Sequence, residues 1–481
     1  MSVKNILSKA EALFKLGEFE QSIQVCQEIL EKKPKLFGAR QILALSYQSS
    51  GKIKLALEEF EKALLIENKD AATFNNIGNI YLDTHQYALA EKYYRRALKH
   101  DPLLAQAWNN LATCQLRTGN KTDAEANFRK AIMYGGNVSL FHSNLAEMLI
   151  DQGSFDKALK ILLTSLELDH HTSTVYRNVL SIFMYQQRYQ DALEIADIGL
   201  LSENLSESEL CELLINKAIL FWLFDNPEEA RQAIHLSETV YQYKNNSVEL
   251  GNLCVFHSYI KKLLVLDKQR SKVELEDNPD DNIYFISESH GFTPNDNRVE
   301  YKNKSYNIRS LFILGAKILH FIDDENNKHK QSLSLIFNNL PEKSKVVMAV
   351  GEIDCRRNEG IFVHCIKHEL DYRDVIDDML IKYIDMLKEQ VAQHHFEIIL
   401  YGIPAPNKNQ VDLLDVDQQD KFKQLIKYFN QQLSIICQEN DIAFLDAYLL
   451  TEENGVSNLQ YHLDSFHLNF EAVPQLFKNL N

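Results

Sequence analysis

The chain has 481 residues, 45% of them hydrophobic and 25% charged, which is material for two or three folded domains rather than one. Its formal charge of -16 and the lack of a basic run interleaved with aromatics argue against nucleic acid as a partner. No segment approaches the roughly 20 apolar residues of a membrane span, and the amino terminus lacks the apolar core of a signal peptide, so a cytoplasmic location is expected.

From residue 3 to about 244 the chain repeats itself. Ser22, Ala56, Ala90, Ala124, Ala158 and Ala192 follow one another at steps of 34, and Ala230 comes after a step of 38. Seven units result, the seventh with an insertion near Ser202 to Ser208. Many first helices open on an aromatic or histidine (Phe74, Trp108, His142, Tyr176), and a small residue follows at the helix crossing (Gly78, Ala112, Ala146). These units resemble tetratricopeptide repeats, which implies an all-α superhelix. Two short amphipathic helices cannot bury their shared face alone, so stacked neighbours must complete the core. A further helix, roughly Val248 to Leu266, is expected to cap the stack ahead of a charged linker, Ser271 to Asp281.

One register of this array stands out. Asn76, Asn110, Asn144, Asn178 and Asn216 occupy the same place in five consecutive units. A primary amide offers donor and acceptor together, so such a ladder can pair with the backbone of an extended peptide whatever its side chains. It is similar to the ladder lining the superhelix of O-GlcNAc transferases. The same asparagines also suit solvation or bonding within the array. A protein or peptide ligand in this groove is the expected partner. A glycosyltransferase is disfavoured because the carboxyl-terminal part is too short for a double nucleotide-sugar fold and carries no diphosphate-binding loop.

From about 282 to 481 short apolar runs alternate with long amphipathic ones. IYFIS (283–287), VVMAV (346–350), FEIILYGI (396–403) and IAFLDAY (442–448) read as buried strands, with helices over 371–393 and 419–439 between them. The alternation predicts an α/β/α three-layer domain with a mainly parallel, flavodoxin-like sheet. Ligands of such sheets bind beyond the carboxyl ends of the strands. Three polar clusters fall there: Ser287-Glu288-Ser289-His290, Gly351-Glu352-Ile353-Asp354-Cys355-Arg356, and Asp464-Ser465-Phe466-His467.

An alcohol is a poor nucleophile at neutral pH and needs an imidazole, which in turn needs a carboxylate to fix its tautomer. Asp464 and His467, three residues apart, have that spacing. With serine first and DxxH last, the domain resembles the SGNH/GDSL hydrolase superfamily. The resemblance implies Ser289 as nucleophile, His467 as base, Asp464 as its orienting acid, and the amides of Ser289 and Gly315 as the oxyanion hole. GEID matches the family's third block in Gly351 and Asp354 only, because Ile353 stands where the family has asparagine. Losing one oxyanion donor costs on the order of 3 kcal/mol. Glu352, Asp354 and Arg356 are candidate accessory residues, and Glu352 with Arg356 also reads as a structural ion pair. The implied activity is that of an esterase or O-acyl transferase acting on an acyl ester or glycan, with no metal and no cofactor required. The reading from another class is a non-catalytic adaptor whose α/β domain only binds.

Overall fold

The computed structural model describes residues 3–136, 138–168, 173–202, 205–240, 253–267 and 279–480. The start of the expected capping helix, most of the linker and part of the insertion in the seventh unit lie outside the described residues. The chain divides into two compact units, one of residues 1–149 with 160–169, the other of 150–159 with 170–481.

The first unit is built of antiparallel helix pairs, from Val3–Lys15 and Phe19–Lys32 to Ala105–Arg117 and Lys121–Gly135. The residues that mark the 34-residue period are its innermost: Ala56, Ala90 and Ala124 are wholly buried. Ser22, the polar member of the series, donates to the Ala10 carbonyl at 2.9 Å and accepts from Ser46 at 3.0 Å, so its hydroxyl is buried at no loss. Gly78 shows why a small residue sits at the crossing, since a Cβ there would lie 2.6 Å from the Tyr94 ring. The turn within each pair needs a left-handed residue, met by Gly51 at φ 73° and, one unit later, by His85 at φ 59°.

The second unit joins later helices (Ser173–Tyr185, Tyr189–Leu200, Glu207–Leu223, Pro227–Val240, Leu253–Leu266) to a six-stranded mixed sheet. The strands are β1 (Asn282–Ser287), β2 (Arg298–Tyr301), β3 (Lys304–Phe312), β4 (Lys345–Ala349), β5 (Glu397–Tyr401) and β6 (Ala443–Leu445), in the order β2-β3-β1-β4-β5-β6. All pairs are parallel except β2 with β3. The four strands expected from the apolar runs are present. The β2–β3 hairpin was not expected, because β2 is only four residues long and RVEYKNKSYNIRS reads as a polar stretch. On one face Ile283, Phe285, Val347, Ile399 and Leu445 form a core with Val473, Leu476 and Phe477 of the last helix. The helices Tyr372–His394 and Val416–Glu439 contact β5 and β6 respectively.

Among the described residues no helix is long and apolar enough to cross a membrane.

Candidate active site

Strand β1 ends at Ser287, and the next residues turn sharply into a short 3-10 segment, Ser289–Phe292. The turn requires Gly291, whose added Cβ would lie 2.2 Å from the Ser287 hydroxyl oxygen. Ser287 is wholly buried and its hydroxyl donates to the Glu288 carbonyl at 2.9 Å, so it is committed to the turn. Ser289 faces the other way.

Its Oγ lies 2.8 Å from Nε2 of His467, 178 residues on. Nδ1 of that ring lies 3.0 Å from both carboxylate oxygens of Asp464. A proton on Nδ1 therefore faces the carboxylate, which leaves Nε2 as the acceptor toward Ser289. Asp464 also accepts from the amides of Phe466 (2.9 Å) and His467 (2.8 Å), so one carboxylate sets both the turn and the ring. Burial raises the Asp464 pKa, but the hydrogen bond and charge of His467 outweigh it and hold the carboxyl well below the usual range.

Around this line lies a second charged group. Glu288 accepts from the Ser289 amide at 2.7 Å and from its hydroxyl at 2.5 Å, and its other oxygen makes a very short contact with Nδ1 of His290. The serine has one proton and two acceptors, His467 and Glu288. Burial opposes ionisation of Glu288, yet the charges of His290, Arg356 and His467 pull its pKa well below the ordinary value. His290 moves the other way, to about 9, because Glu288 overrides the effect of burial. Its Nε2 lies 3.2 Å from the Phe466 carbonyl, which ties the serine turn to the Asp464–His467 turn.

The remaining sequence candidates divide. Arg356 pairs with Glu352, Nη2 to Oε2 at 2.7 Å, and with Glu359 at 3.5 Å, so the ion-pair reading describes it. Glu288, His290 and Glu352 bring ligand-type atoms within 4.8 Å of one another. Arg356 already occupies the carboxylate that Glu352 would offer to a metal, which disfavours one there. Asp354 points away and is wholly buried, accepting from the amides of Ile318 (2.8 Å) and Leu319 (3.4 Å); burial lifts its pKa to about 7. Gly315 lies three residues past the end of β3, the strand whose Phe312 pairs with Ser287, and has φ 65°. Ile353 is buried in its own turn.

Two aromatic residues escaped the sequence reading. Tyr259, from the helix expected only to cap the stack, lies flat on His467 with ring centroids 3.7 Å apart and planes 10° from parallel. Its hydroxyl meets that of Thr293 at 2.6 Å. Trp222, from Glu207–Leu223, donates Nε1 to the Phe292 carbonyl at 2.8 Å. Both read in sequence as helix-core aromatics, and nothing in their spacing signals a distant loop.

Models of the tetratricopeptide repeat family match residues 38–70 and 75–139. The N-terminal part carries tetratricopeptide repeats. Solved repeat structures align over part of the chain. PilF of Pseudomonas aeruginosa is 18% identical, over 53% of this chain and 96% of its own, with a TM-score of 0.34. A tetratricopeptide repeat protein from Parabacteroides merdae is 15% identical, over 53% and 98%, at 0.40. YrrB, a tetratricopeptide repeat protein with an unusual peptide-binding site, is 18% identical, over 42% and 98%, at 0.32. No curated protein matches the chain.

Within the repeats the asparagine register is engaged between units. Asn110 Nδ2 donates to Asn75 Oδ1 at 3.1 Å and Asn79 Oδ1 at 2.9 Å, and Asn144 Nδ2 donates to Asn109 Oδ1 at 2.8 Å. Asn216 donates to the Glu212 carbonyl of its own helix at 2.8 Å, Asn178 is buried, and Asn76 is half-buried. Both donors of Asn110 and one each of Asn144 and Asn216 are thus used inside the protein, the bonding within the array that the sequence left open beside a peptide ligand.

Proposed function

We propose that this chain is a serine esterase or O-acyl transferase of SGNH type, residues 282–481, joined to a peptide-binding tetratricopeptide array, residues 3–244. The observation that carries the reading is the continuous line from Ser289 Oγ through His467 to Asp464, at 2.8 Å and 3.0 Å. Ser289 and His467, 178 residues apart in sequence, have no structural need to meet with Asp464 behind the ring.

In this reading Ser289 attacks an acyl carbonyl while His467 Nε2 takes its proton. Asp464 keeps Nδ1–H in place and stabilises the imidazolium. The Ser289 and Gly315 amides receive the developing oxyanion. His467 then protonates the leaving alcohol, and water or an acceptor hydroxyl releases the acyl group by the reverse path. For the Ser289 amide to serve, the Glu288 carboxylate must first leave it.

The competing reading, a non-catalytic adaptor, draws on that same contact and on Ile353 in the family's asparagine position. A fluorophosphonate probe separates the two. Labelling confined to Ser289, and lost in Ser289→Ala and His467→Ala, is the expected result. Absence of labelling on folded protein, under conditions that label a known serine esterase, would leave the adaptor.

A further inference from the structure

A small cleft opens beside the turn that carries Asp464 and His467. Ser465 and Phe466, inside the turn that holds Asp464 and His467, form one wall, and Arg356 and Arg357 form another with Gln410. The wall shared with the triad is tied down from both sides. The Phe466 carbonyl meets His290 Nε2 at 3.2 Å, and the Arg356 guanidinium lies 5.1 Å from the centre of the Phe466 ring.

The charges lining this cleft do not cancel. Its one carboxylate, Glu352, is taken by Arg356 at 2.7 Å. Arg357 is half-buried, and its Nε donates to the neutral Oε1 of Gln410 at 3.0 Å. Among the described residues no carboxylate pairs with it. In a chain of charge -16, with acids in excess by 67 to 51, a half-buried arginine held by an amide is an exception. A guanidinium so placed keeps its positive charge and its Nη donors for a planar or tetrahedral anion.

We infer that this cleft selects acyl esters bearing an anionic group, a carboxylate or phosphate, which Arg357 receives while the ester reaches Ser289. The inference rests on the esterase reading for the position of the ester, not for the position of the anion. Arg357 is then a specificity-determining residue. Arg356, neutralised by two acids, is not.

The test uses the full-length chain and two matched pairs of esters. One pair is 4-acetoxybenzoate and its methyl ester, with the charge on the alcohol side. The other is mono-4-nitrophenyl succinate and its methyl ester, with the charge on the acyl side. At least one pair should show kcat/KM favouring the anion by roughly ten- to a hundredfold, the worth of one charge-assisted hydrogen bond. Arg357→Gln should bring that ratio near one, and Arg357→Lys should restore part of it. A wild-type ratio at or below one in both pairs, or a ratio unchanged in Arg357→Gln, overturns the inference. Calorimetric binding of the same esters to Ser289→Ala separates the two failures. If no ester is turned over but the anionic member still binds more tightly in an Arg357-dependent way, the catalytic reading falls and the anion site stands. If neither member binds at millimolar concentration, the anion site falls.

Discussion

The carboxylate of Glu288 accepts hydrogen bonds from both the amide of Ser289, at 2.7 Å, and its hydroxyl, at 2.5 Å. An anion therefore occupies the amide that the proposed mechanism needs for an oxyanion. Two like charges a few ångströms apart oppose each other by several kcal/mol at the dielectric of a partly buried site. Glu288→Gln keeps an acceptor of the same shape and removes the charge. Fluorophosphonate labelling of Ser289 should accelerate about tenfold or more in that variant. A slower rate would instead mean that Glu288 holds Ser289 in its reactive position.

Tyr259 supports His467 through stacking rather than hydrogen bonding. Tyr259→Ala removes the face on which the ring rests and opens a buried cavity, at a cost of about 3–5 kcal/mol in stability. Labelling of Ser289 should fall in Tyr259→Ala and stay near wild type in Tyr259→Phe, which keeps the stack and loses only the Thr293 contact. Equal losses in both variants would assign the effect to the hydroxyl.

Trp222 closes the serine turn from the helix Glu207–Leu223. In Trp222→Phe the Phe292 carbonyl loses its donor in a dry interior, a penalty of about 1–3 kcal/mol. Urea unfolding should show that loss. An unchanged midpoint would mean that another donor reaches the carbonyl.

The Glu288–His290 pair gives stability an alkaline limit. His290 holds its proton up to about 9 in the folded chain against an ordinary 6.5, so the folded state binds that proton more tightly than the unfolded one. Its contribution is complete below about pH 6.5 and disappears as pH rises through about 9. Glu288 and Asp464, shifted downward, are lost in the opposite direction, as pH falls below the ordinary carboxylate range. Thermal melts between pH 6 and 10 should decline toward the alkaline end, and His290→Gln should flatten that decline. A parallel decline in the variant would place its cause elsewhere.

In the repeats, Asn110 bonds two asparagines of the preceding unit. Asn110→Ala should therefore lower stability by about 1 kcal/mol, readable by urea titration. No change would return the amide to a role on the groove surface.

Much of the architecture was legible in residue order. A period of 34 carried by residues with no room around them marks the repeats, because close helix contact excludes larger side chains at Ala56, Ala90 and Ala124. Apolar runs such as VVMAV mark strands buried on both faces. The hairpin of β2 and β3 was passed over, since the four residues of β2 alternate exposed and buried over too short a run to stand out from a polar loop.

For the candidate site, the sequence nominated Ser289, Asp464 and His467 through the order of its polar clusters and their resemblance to the blocks of a hydrolase superfamily. It could not set their distances, nor show that Glu288 turns onto the Ser289 amide, since a side-chain torsion is chosen by neighbours such as His290 that the turn brings close. Nor could it show that Tyr259 and Trp222, from helices upstream of the sheet, meet the loops carrying that chemistry. Helical periodicity records only that a residue is buried. What it is buried against is decided when separate elements pack, and here that packing puts an aromatic face under the histidine and leaves Arg357 without an acid.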